Sequence, residues 1–161
     1  LTGHNKPLII GIGNPVRGDD AFGALVVSDL KSNHPHMAEY MFFNADMTNL
    51  IDKWVGRDVI LIDLIVSEKL RGQISVANSM EELMLQKETI LTSHGLGLAE
   101  IIQLSQLLDK KPRSFFFIGV SGNNFQINAP IGVPVRALIP EVIDKVKAYI
   151  TQLLNQEKDF D

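Results

Sequence analysis

The chain has 161 residues, 45% of them hydrophobic, with 15 Lys and Arg against 19 Asp and Glu and a formal net charge of -4. That length suits a single domain over residues 1–161 with a sizeable core, and the acidic balance removes any global attraction to nucleic acid or an anionic membrane. Cysteine is absent, which excludes thiol nucleophiles, disulfides and thiolate metal sites together.

Leu8 to Ile12 is short, continuously apolar and closed by turn residues, the pattern of a buried strand. A glycine-rich turn follows, Gly11-Ile12-Gly13-Asn14-Pro15-Val16-Arg17-Gly18, then the carboxylate pair Asp19-Asp20. From Ala21 onward, Phe22, Leu25, Val26 and Leu30 recur at helical spacing. This order places Asp19 and Asp20 at a helix N-terminus, where a carboxylate can accept orphan N–H bonds. One carboxylate suffices for capping, which leaves the other for chemistry.

His34-Pro35-His36 reads as a solvated loop, since proline biases the preceding residue away from helix. Glu39 to Phe43 suits a second strand and Met47 to Val55 a short helix. Asp58 to Asp63 is a β-branched apolar run ending in a carboxylate, the strongest strand signal in the chain. Arg71 to Ala77 reads as a shorter edge strand, antiparallel to its neighbour, and Met80 to Leu85 as one or two helical turns. After Ser93-His94-Gly95, the apolar positions Leu98, Ile101, Ile102, Leu104, Leu107 and Leu108 describe an amphipathic helix over Leu96 to Leu108. Ser114 to Val120 is another buried strand, Ser121 to Val135 a loop with room for one edge strand, and Pro140 opens the last helix as its first residue.

No apolar run approaches the roughly 20 residues that span a bilayer, and Leu1 to Pro7 is too polar for a signal peptide. The expected location is therefore the cytoplasm, with no membrane and no nucleic acid among the partners. Strands alternating with helices predict a three-layer α/β fold, a mostly parallel twisted sheet with helices on both faces. Sites in such sheets lie beyond the carboxyl ends of the strands. Asp20, Asp63 and His94 fall there.

Each feature also has a plainer explanation. The Gly11-x-Gly13 pair invites a dinucleotide fingerprint, but Val16 stands where the third glycine belongs, so a tight turn explains it better. Asp19 and Asp20 can cap a helix. A strand-end aspartate such as Asp63 can cap a turn, although burial in so apolar a strand is costly without pairing, hydrogen bonds or a metal. His94 can be an ordinary loop histidine. Together, two carboxylates and one imidazole make an open site for a borderline cation such as zinc or nickel, with room for water or substrate. No Gly-x-Ser-x-Gly elbow occurs, which argues against a serine hydrolase.

The combination resembles the nickel-iron hydrogenase maturation proteases. Gly11 to Gly23 matches their Gly-x-Gly-Asn to Asp-Asp opening, Val59 to Asp63 their strand ending in aspartate, and Thr92 to Leu98 their Ser/Thr-His-x-x-x-Leu segment. The likeness implies a fold of the phosphorylase/hydrolase type and an endopeptidase that removes a C-terminal extension from the hydrogenase large-subunit precursor after nickel insertion. It implies that Asp20, Asp63 and His94 are both the metal ligands and the catalytic residues. Nickel then arrives with the substrate, and another divalent cation can occupy the site in its place. This chain departs from the family pattern at Val66, at Asn44 to Thr48 and at Gly119 to Gly122, which bears on substrate identity. Two other readings remain open. Gly11 to Pro15 also looks like the opening of peptidyl-tRNA hydrolases, but the stretch Arg17 to Phe22 lacks the histidine that family needs. The third is a noncatalytic nickel-binding scaffold on the same fold.

Overall fold

Period-two alternation of apolar side chains organises the chain into one sheet with two covered faces. The computed structural model describes residues 6–44, 46–67, 71–86 and 97–160. In chain order the elements are β1 (Leu8–Ile12), α1 (Phe22–Asn33), β2 (Glu39–Phe43), α2 (Leu50–Trp54), β3 (Asp58–Val66), β4 (Ile74–Ala77), α3 (Met80–Leu85), α4 (Leu98–Leu107), β5 (Ser114–Gly122), α5 (Val133–Arg136) and α6 (Ile139–Lys158). The sheet order is β2-β1-β3-β5-β4. All neighbours are parallel except β4 with β5, so the antiparallel edge strand is where the sequence suggested.

Leu8, Ile10 and Ile12 of β1, Val59, Leu61 and Ile65 of β3, and Phe115 and Phe117 of β5 share one core with α2, α3 and α4. Ile9, Ile60, Ile62, Leu64, Phe116, Ile118 and Val120 form the other with α1 and α6. Successive strand side chains point to opposite faces, so Asp63 lies on the face of Leu61 and Ile65, the face that α4 covers. The fully buried Trp54 meets Phe115 edge-on and donates its indole N–H to Ser105 Oγ at 3.2 Å, which anchors α2 to α4.

Two glycines set how closely α1 lies on the sheet. A Cβ at Gly11 would stand 2.5 Å from the carbonyl oxygen of Gly23, and one at Gly23 would stand 2.7 Å from that of Ile12. Backbone therefore meets backbone, and the turn Gly18–Ala21 that precedes α1 is held over the ends of β1 and β3.

Several boundaries differ from the sequence reading. Strand β3 continues to Val66, because β5 pairs with it as far as Gly122, so Asp63 is inside the strand rather than at its end. Met47–Asn49 is a tight three-residue 3-10 turn ahead of the five-residue α2, not a single helix. Between β5 and α5 the described chain forms only one isolated antiparallel bridge, Arg17 with Ile127. Pro140 is the second residue of α6, behind Ile139. The segment containing His94 and the start of the Leu96 helix lies outside the described residues. No helix among the described residues is long and apolar enough to cross a membrane.

Candidate functional site

The chain leaves β1 to form β2 on one side and returns to form β3 on the other, so the topological switch point lies between β1 and β3. Open α/β sheets bind ligands in that crevice, outside the carboxyl ends of the strands. The register between β1 and β3 ends at Gly11 opposite Ile62. Beyond it, Gly13 N–H turns to the carbonyl of Phe43 on β2, while Ser67 N–H goes to Gly122 on β5. The two strands part there. Asp20 belongs to the turn over this opening, and Asp63 follows Ile62 directly.

Both carboxylates are wholly buried. Asp20 Oδ2 accepts the N–H of Asn14 at 2.9 Å, and Asp63 Oδ1 accepts the N–H of Leu64 at 2.7 Å. Gly13, at φ 138°, leaves the space beside Asp20 open, since a Cβ there would stand 3.0 Å from Asp20 Oδ1 and collide with the Asp20 carbonyl oxygen. A side chain at that position would fill the cradle.

Neither member of the acidic pair caps its helix, contrary to the sequence expectation. No side-chain cap bond exists at the turn Gly18–Ala21 or at α1. Asp19 instead reaches across the fold. Its Oδ1 accepts the N–H of Gly132 at 2.8 Å and Arg71 Nη2 at 3.2 Å, and its Oδ2 accepts the N–H groups of Asn123 and Asn124 at 3.1 Å each and Arg71 Nε at 3.3 Å. Burial pushes the Asp19 carboxyl up, but Gly132, Arg71, Asn124 and Asn123 outweigh it and hold the group below the ordinary aspartate range. Sequence reasoning missed this role because donors 52 to 113 residues away leave no local signal.

The third sequence candidate, His94, lies outside the described residues. Among the described residues no three His, Asp or Glu side chains stand together as a metal-binding group. The described residues do determine where α4 begins. Its far end leads to Lys110, Lys111 and Arg113, which meet Asp52, Gly56 and Arg57 just before β3 starts. So α4 runs toward the amino edge of the sheet, and its first residue, Leu98, is at the carboxyl edge with Asp20 and Asp63.

The site and topology define an α/β protein with two buried carboxylates at the switch point of its sheet. Searched against known families, the chain matches no family model. A curated relative, the hydrogenase 2 maturation protease of Escherichia coli (strain K12), is 24% identical over 148 residues, which are 90% of each chain. Among solved structures, the hydrogenase maturating endopeptidase HybD from E. coli superposes with a TM-score of 0.78 at 24% identity, covering 91% of this chain and 93% of that one. The [NiFe] hydrogenase maturation protease HybD from Thermococcus kodakarensis does so at 0.75 and 21% identity, over 90% and 99%. The resemblance to the hydrogenase maturation proteases thus extends over nearly the whole chain and its fold.

Proposed function

We propose that this chain is an endopeptidase of hydrogenase maturation, which removes the C-terminal extension of a nickel-iron hydrogenase large-subunit precursor after nickel insertion. The observation that carries the reading is the pair of wholly buried carboxylates, Asp20 and Asp63, at the β1/β3 opening of a chain alike over nearly its full length to maturation proteases. A buried carboxylate is costly unless donors or a cation compensate it. Two on one opening offer a borderline cation two oxygen ligands.

His94 supplies the third ligand in this reading, because it precedes by four residues a helix that starts at the same edge. Two carboxylates and an imidazole suit a borderline divalent ion and leave positions open for groups of the substrate. Nickel here is part of the substrate. The protein's own part is to hold two acceptor groups at fixed positions on rigid strand and turn backbone, so that a precursor carrying nickel is seated and an empty one is not. A metal ion polarises a carbonyl or lowers the pKa of bound water.

The test incubates the purified protein with nickel-loaded and nickel-free precursor and follows the released C-terminal peptide by mass spectrometry. Cleavage of the loaded form alone is expected. Equal cleavage of both forms would remove the nickel requirement, and no cleavage of either by folded protein would remove the endopeptidase reading.

A further inference from the structure

We propose that Asp19 is a positioning residue for Asp20, which fixes the working carboxylate by fastening the turn Gly18–Ala21 to two remote segments. The proposal rests on the reading above only in taking Asp20 as part of the working site.

Asp19 is wholly buried, and three N–H groups and one guanidinium converge on its carboxylate from residues 123–124, residue 132 and residue 71. Its own N–H donates to the carbonyl of Asn124 at 2.8 Å, so residue 19 is tied to that segment by main chain and side chain together. The space around it is full. A Cβ at Gly122 would stand 2.9 Å from Asp19 Cβ and Oδ2, and one at Gly132 would overlap the Arg71 guanidinium and stand 3.0 Å from Asp19 Oδ1. Such a cluster has one arrangement.

Asp20 shares a peptide unit with this anchor. Its N–H donates to the Arg17 carbonyl at 3.0 Å, and its carboxylate meets the Asn14 N–H at the other end of the loop. Gly18, at φ 55° and packed on the Asn124 carbonyl, lets the chain enter the turn at that angle. The middle of the loop from Asn14 to Asp20 is tied to residues 125–128 by the Arg17 Nε bond to the Phe125 carbonyl and the Asn128 N–H bond to the Val16 carbonyl, and its far end, beside Asp20, is tied by the fully buried Asp19. Without that carboxylate the turn keeps its main-chain bond to Asn124 but loses its ties to Asn123, Gly132 and Arg71, and Asp20 is held less tightly.

The Asn14 amide is a built-in reporter, because its acceptor is Asp20 Oδ2. The experiment compares wild type with Asp19→Asn and Arg71→Gln by amide hydrogen exchange, and by kcat and KM on nickel-loaded precursor. In Asp19→Asn, exchange at Asn14 should accelerate by about tenfold or more while the β3 and β5 core amides keep their protection. Its kcat should fall roughly tenfold to a hundredfold with KM within about twofold, since displacement by an ångström suffices for such losses. Arg71→Gln should move both readouts the same way but less, because three backbone donors remain on Asp19, and it serves in place of Asp19→Asn should that variant not fold. Unchanged Asn14 exchange in a folded variant overturns the proposal, as does acceleration of Asn14 and core amides in parallel. If wild type itself fails to process the precursor, the endopeptidase reading falls, and Asn14 exchange still decides the positioning role.

Discussion

Strand β3 carries two buried aspartates five residues apart, and their neighbouring strands meet them differently. Asp58, its first residue, is 7% exposed and is met from the side by β5: Ser114 Oγ donates to Oδ1 at 2.7 Å, Arg113 Nε to the same oxygen at 3.1 Å, and Arg113 Nη2 to Oδ2. Burial raises its carboxyl, but the Arg113 and Ser114 hydrogen bonds and the Arg113 charge outweigh that and hold it low. Asp63 has β5 alongside too, but β5 presents Gly119 opposite it, and on the other side the pairing with β1 has just ended. A carboxylate neutralised by its neighbouring strand is a structural post. Asp63 is set where the pairing of β1 with β3 stops, at the opening between those two strands.

The largest expected effect tests the open end of that contrast. Asp20→Asn and Asp63→Asn should each lower processing of loaded precursor by roughly a hundredfold or more, with the melting temperature moved by only a few degrees or about 1 kcal/mol. His94→Ala should match them. If Asp58→Asn abolished processing as they do, the division of β3 into a post and a working group would be broken.

At the closed end, Asp58→Asn removes charge from three hydrogen bonds, and urea denaturation should show a loss of about 1–2 kcal/mol. The figure sits at the low end because Arg113 is half exposed and screened by solvent. Processing at temperatures well below the midpoint should be unchanged.

The smallest effect is on acid stability. Asp19 and Asp58 are both held below the ordinary aspartate range, so each contributes stability that is full above the unfolded value and lost as pH falls through the lower folded one. The urea midpoint should be flat from neutral pH to about 5 and decline below about 4. Asp58→Asn should flatten part of that decline, and an unchanged acid slope would show that the Asp58 cluster does not supply it.

From sequence alone, the alternation of strands and helices, the parallel sheet with an antiparallel edge strand, and the placing of Asp20 after β1 and of Asp63 in the central strand could all be read, because period-two and helical spacing, turn residues and a charge in an apolar strand are local signals. The sequence also showed that one of the paired aspartates is structural, though for the wrong reason. Only the tertiary structure decided that β3 runs on past Asp63, since β5 extends its pairing, and that the opening lies between β1 and β3, since strand order is a property of the whole sheet. Only the tertiary structure decided, too, that Asp19 gathers its donors from Arg71, Asn123, Asn124 and Gly132. A hydrogen bond between residues a hundred positions apart depends on how the chain packs, and no periodicity records it.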